Sequence, residues 1–219
     1  MSWARVHRTL AIALVVLLVV WSVTGLLFHL KPGWDRAYDQ LAVERQGPLS
    51  LATIVPASTL EVAVSGAEIQ RVSLFDTVLG PLYRVQTTTG SELVGATTGH
   101  KRSPLTVAEC EALIADAVSR SPYRSAYGGP VTTHGDATTV KVDFRDATVT
   151  LGRSDARISQ RGSTSDRIDW LYRIHYLQWT GNRTIDRAFA VLGLLLIWAV
   201  MIPGIMLFVR RFRRPTSRD

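Results

Sequence analysis

Two long uncharged stretches bracket a middle segment whose hydrophobic positions alternate between helical and strand periods. Leu10 to Phe28 holds no charged residue, and neither does Ala188 to Val209. At 1.5 Å of rise per residue, each is long enough to cross a hydrocarbon layer of roughly 30 Å as a helix. The pattern predicts a membrane protein with two transmembrane α-helices flanking an α+β domain. Lys31, Pro32, Gly33 and Trp34 stop the first helix, and Pro203-Gly204 is expected to kink the second near its inner third.

Between the two, Asp35 to Val43 is a short polar segment of helical character and Gly47-Pro48 marks a boundary. Ser50 reads as the N-cap of a helix reaching about Val64, with Pro56 kinking it or delaying its start. Glu68 to Phe75, Leu82 to Thr88 and Glu92 to Ala96 alternate as half-buried strands, separated by Gly80-Pro81 and Thr89-Gly90 turns. The pattern then recurs. Thr106 and Glu109 form a capping box before the amphipathic VAECEALIADAVSR, and strands follow at Thr138 to Phe144, Ala147 to Gly152 and Ala156 to Arg161. The middle therefore reads as two helix-plus-antiparallel-strand units of about 55 residues each, too small to hold separate cores and expected to pack together. Asp166 to Trp179 follows as an amphipathic helix whose aromatic face suits a membrane interface, broken by Gly181-Asn182.

Charge fixes the expected orientation. The formal net charge of +7 is concentrated at Arg5 and Arg8 before the first stretch and at Arg210, Arg211, Arg213, Arg214 and Arg218 after the second. Basic flanks of this kind mark the cytoplasmic side of spanning helices, so nucleic acid is discounted as a partner. Both termini are expected in the cytoplasm and residues 31–187 outside it. The first stretch lacks a small-x-small cleavage site and reads as an uncleaved signal anchor. A single cysteine, Cys110, excludes an internal disulfide or a multi-cysteine metal site and reads as a buried small hydrophobe.

Three histidines stand near the membrane segments. His7 and His29 bracket the first stretch, about 33 Å apart along a continuous helix and about 40° apart around it. His175 lies shortly before the second stretch. Histidine is also at home at membrane interfaces without any ligand. His100 and His134 read as solvated loop residues. No H-E-x-x-H, G-x-S-x-G, phosphate-cradling loop or dinucleotide fingerprint is present, and no Ser, His and Asp spacing selects a triad.

The phrases at residues 82–118 and 140–161 resemble PepSY repeats. His7-Arg8 and Thr24-Gly25 resemble the first helix of PepSY-associated transmembrane proteins, and DWLYRIHYLQW at 169–179 resembles the W-L-x-x-x-H segment before their next span. The resemblance covers nearly the whole chain. It divides the chain into a cytoplasmic N-tail with the first transmembrane helix (1–30), a linker (31–48), PepSY-like repeats (49–104 and 105–162), an interfacial helix (163–180), the second transmembrane helix (186–210) and a basic cytoplasmic tail (211–219). The location it implies is a bacterial cytoplasmic (inner) membrane.

Larger members of that group include haem-containing ferric-siderophore reductases. Packed as an antiparallel pair, the two spans would bring His29 and His175 together near the outer surface as axial ligands of a haem b, with Phe28, Trp170, Tyr172 and Trp179 lining the pocket. The chain departs from the larger members in having two spans, the second without histidine, so ligation by His7 needs a second subunit or another protein. The leading expectation is an extracytoplasmic binding or accessory module rather than an enzyme, contacting the bilayer and a membrane-protein partner or a second copy, in a redox complex. The alternatives are haem-dependent electron transfer, protease regulation or an assembly role.

Overall fold

The computed structural model describes residues 3–49, 51–60 and 68–212. They belong to two compact units, Met1–Trp34 with Asp166–Asp219, and Asp35–Ser165. Helix α1 (Trp3–Leu30) runs unbroken for 28 residues and is closed by Lys31 at φ 45° and Gly33 at φ 68°. Its breakers act where the sequence places them. Val15, Val19 and Leu26 are more than half exposed, whereas Thr24 is buried. This inverts the usual preference of the two residue types and suits a helix whose outer face meets lipid.

The Asp35–Ser165 unit carries two antiparallel sheets. Helix α2 (Asp35–Tyr38) is a single turn that stops short of Val43, and Leu41 and Val43 are buried beyond it. Around Pro56 stand short 3₁₀ turns at Leu51–Thr53 and Ala57–Thr59. Ser50 and residues 61–67, where its cap and body were expected, lie outside the described residues. Strands β1 (Ile69–Phe75), β2 (Leu82–Thr87) and β3 (Ser91–Gly95) pair in that order, with Val72 opposite Val85 and Tyr83 opposite Val94.

Helix α3 (Val107–Arg120) begins with the expected capping box: Thr106 accepts from the Glu109 amide and Glu109 accepts from the Thr106 amide. It buries Cys110, Leu113, Ile114, Ala117 and Val118, the i, i+3, i+4, i+7, i+8 stripe of one face. After the short α4 (Arg124–Tyr127) come β4 (Thr132–Gly135), β5 (Thr139–Asp143), β6 (Ala147–Gly152) and β7 (Ile158–Gly162), paired in sequence order. Val140, Val142, Val149 and Leu151 alternate into one core with the α3 stripe and with Phe75, Leu82 and Leu93 from the other sheet. The two sheets thus share a core, as units too small to close alone require. Strand β4 was not expected. It is a four-residue, largely exposed edge strand, so it carries no hydrophobic alternation, and it puts His134 on a strand rather than in a loop.

Arg84 of β2 holds the sheets in register. Its guanidinium donates to the carbonyls of Asp155 at 2.6 Å and Ala156 at 3.3 Å, pairs with Glu44 at 3.3 Å and lies over the Phe75 ring at 4.7 Å. Ala156 adopts φ 51°, and this side chain joins the turn's own bonds, Ala156 N–H to Gly152 O and Arg157 N–H to Asp155 Oδ1, in holding it.

Two carboxylates of α3 make the unit acid-sensitive. The Thr106 backbone amide, followed by its hydroxyl and Arg102, holds the Glu109 carboxyl below its ordinary value. Partial burial alone would raise the Asp116 carboxyl, but hydrogen bonds and charge from Arg45 and Arg120 hold it low. Groups depressed in the folded state stabilise it above their unfolded pKa and lose that contribution as pH falls through the folded value. Urea midpoints of the full chain in detergent should therefore drop steadily once the pH falls below about 4, and Asp116→Asn should flatten the slope.

Helix α5 (Ser163–His175) starts and stops earlier than the sequence pattern suggests. The chain then re-enters a helix at α6 (Arg183–Phe212), 30 residues long and continuous through Pro203-Gly204. Among the described residues, Arg183–Ile202 is long and apolar enough to cross a membrane, and Leu14–Leu30 of α1 is a shorter apolar helix.

Candidate functional site

Trp21, Thr24, Gly25 and Phe28 follow the i, i+3, i+4, i+7 spacing that puts four side chains on one face of α1. All four meet His175. The Trp21 ring stacks on the imidazole at 5.4 Å and 23°, and Phe28 meets it edge-on at 5.1 Å. The Thr24 hydroxyl lies 2.9 Å from Nδ1, and Gly25 leaves room for the ring, since a Cβ there would stand 3.5 Å from Cε1. Thr24 Oγ1 also lies 2.9 Å from the Val20 carbonyl and 3.0 Å from the Trp21 carbonyl. Carbonyls only accept and a hydroxyl has one proton, so that proton goes to the backbone and the oxygen accepts from Nδ1–H. With the hydroxyl proton assigned to the backbone in this way, the neutral ring carries its proton on Nδ1 and a lone pair on Nε2.

The backbone places His175 as firmly as the side chains do. Leu177 sits at φ 55°, its amide donates to the Ile174 carbonyl at 3.2 Å, and the Gln178 amide donates to Arg173 at 2.8 Å. These are the two bonds of a Schellman ending, with leucine where glycine is usual. The His175 carbonyl is left over, and Trp21 Nε1 donates to it at 2.8 Å. Helix α6 is started just as firmly. Asn182 Oδ1 accepts from the Thr184 amide at 3.0 Å, and the buried Asp186 accepts from the Thr180 hydroxyl at 2.8 Å. The result is a cavity of about 330 Å³ with an almost wholly apolar lining that includes Leu17, Trp21, Leu177, Trp179, Gly193 and Ile197, and His175 in its wall.

The family described as the PepSY-associated TM region matches residues 4–219, from the start of α1 through the two-sheet unit and α6. The chain belongs to this family. Neither a curated protein nor a solved structure matches it. A PepSY-associated protein of this kind is a membrane protein in contact with the bilayer, and its α+β content lies in the Asp35–Ser165 unit.

Within this PepSY protein the expected site residues differ in their surroundings. His175 is at the centre of the cluster. His29 is exposed, makes none of the contacts of His175 and is absent from the cavity lining. The imidazole of His175 docks on Thr24 and Gly25, about one turn before His29. His7 is on α1, but its side chain lies outside the described residues. Phe28 stacks on Tyr172 at 4.5 Å, and Trp179 lines the cavity, whereas Trp170 is 59 % exposed. His100 is exposed in its turn, and His134 faces Asp143 at 3.8 Å. Among the described residues, no group of three or more His, Cys, Asp or Glu is placed to hold a metal ion.

Gly25 gives a graded test of the cluster. Its would-be Cβ makes an ordinary contact, so Gly25→Ala should leave the fluorescence of detergent-solubilised protein near that of the wild type. Gly25→Leu needs the space of the imidazole itself and should expose Trp21, read as a shift of tryptophan emission and a lower thermal midpoint.

Proposed function

We propose that this PepSY protein is a two-span membrane anchor carrying an extracytoplasmic binding module, and that it serves as an accessory subunit of a membrane redox complex. The observation that supports it best is the partition of α1 and α6. Their apolar side chains face outward, with Leu192, Leu195 and Trp198 at least half exposed, while Thr24 and His175 are paired on the inner side of α1. Such a pair suits lipid outside and a polar contact inside. The basic residues at both chain ends support cytoplasmic termini, with residues 31–187 on the far side. Cross-linking in intact membranes should trap the chain in species well above its 24.2 kDa, and tags at both termini should be protected from protease added outside. A chain that stays monomeric would sink the accessory reading, and an exposed terminus the orientation.

A second reading, a haem b electron-transfer subunit, draws on one observation: Nδ1 of His175 is fixed by Thr24, which leaves Nε2 as an axial ligand. The second ligand would be His29, about one turn beyond Thr24 and Gly25 on α1, or a residue of another subunit. A haem held this way would supply one-electron transfer. The expected signature is a b-type reduced-minus-oxidised spectrum of the purified protein that is lost in His175→Ala. A featureless spectrum from haem-replete cells removes this reading and leaves the first.

A further inference from the structure

The geometry points to the cavity beside His175 as a binding site for the head of a lipid-soluble hydroxyaromatic, of the quinol class, held by its hydroxyl on Nε2. The inference rests on the redox setting proposed above and names the ligand of that site.

Three observations select this chemistry. The first is hydrogen-bond polarity. Thr24 uses its proton on the backbone and takes that of Nδ1, so Nε2 offers a lone pair. No bond to Nε2 is made by a described residue, and His175 lines the cavity, so Nε2 is taken as the acceptor the site offers. An acceptor in an apolar cavity selects a ligand with a hydroxyl to donate, and an oxidised quinone carbonyl has none. The second is wall composition. Trp21, Tyr176 and Trp179 are in the lining, and apart from His175 the remainder is aliphatic or glycine. The third is size. About 330 Å³ is at the small end of ligand pockets, enough for a single substituted ring and cramped for a four-ring macrocycle. Leu17 and Ile197 lie within the uncharged stretches of α1 and α6, so the ligand reaches this level through lipid and its apolar tail stays there.

The test uses the full-length protein in lipid nanodiscs, with empty nanodiscs correcting for partition into lipid. A decyl-substituted benzoquinol and the corresponding quinone are each equilibrated with the discs, the quinol under reductant, and the retained ligand is extracted and quantified. The expected result is saturable retention above empty discs, with the quinol favoured roughly tenfold, the scale of one net hydrogen bond. His175→Leu should abolish the preference. Thr24→Val frees Nδ1, lets the ring take either tautomer and should bring the two affinities within about twofold of each other. Gly193→Leu fills the cavity without touching His175 and should remove saturable binding of both forms. Retention equal to that of empty discs, or a preference for the quinone, would overturn the proposal. If a variant unfolds, as judged by circular dichroism, the wild-type preference and Gly193→Leu still decide. Saturable quinol binding by a chain that cross-links to nothing would overturn the complex and keep the site; a complex without binding would do the reverse.

Discussion

Arg84→Ala is expected to destabilise the Asp35–Ser165 unit by about 3 kcal/mol, lowering the thermal midpoint by roughly 6–12 °C. The guanidinium satisfies two backbone carbonyls and one carboxylate and covers an aromatic ring. The Asp155 and Ala156 carbonyls belong to the turn that enters β7, so their release also frees the φ 51° conformation of Ala156. Arg84→Lys should recover little of the loss, because an ammonium matches one of these acceptors at a time while the planar fork matches three. A thermal scan of the full chain in detergent, followed by near-ultraviolet circular dichroism, separates the three proteins. A wild-type midpoint for Arg84→Ala would mean that the turn holds without its clamp.

The second large effect is expected at Trp21. Trp21→Phe keeps an aromatic ring against the imidazole but leaves the His175 carbonyl without its donor, for a loss of about 1 kcal/mol in a membrane setting. Trp21→Ala removes the ring as well and should cost about 2 kcal/mol. Half of the indole is exposed, so the loss stays below that of a fully buried tryptophan. Protease resistance of the loop between α5 and α6 in nanodiscs gives a local readout. Its protection should fall in the order wild type, phenylalanine, alanine.

What the sequence allowed one to read depended on whether the signal was local. Thr106 and Glu109 are three residues apart, so the capping box and the helix behind it were legible to the residue. Val140, Val142, Val149 and Leu151 alternate within single strands and announced the core of the second sheet. Exposed β4 had no apolar face to announce it. The end of α5 was hidden because Leu177 closes it in a conformation that propensity assigns to glycine, and what holds it there is tertiary.

The candidate site shows the same division. His175 was visible as a histidine before a span, and Thr24-Gly25 as part of a family motif. Their mutual contact was not visible, because 151 positions separate Thr24 from His175 and no periodicity crosses that gap. Distance along α1 favoured His29 as the partner, being at the membrane surface. The face shared by Trp21, Thr24, Gly25 and Phe28 was the signal available, a heptad of two aromatics around a small polar pair that lipid alone does not require.

The Trp21 indole and the carbonyl it caps are 154 positions apart, and that spacing is also a clock. At synthesis rates of about 5–20 residues per second, the first helix leaves the ribosome roughly 8–30 s before its partner is made. Throughout that interval the acceptor that the indole meets in the finished fold does not yet exist. The contact that ties α1 to the end of α5 is therefore made late, by arrival of the second half.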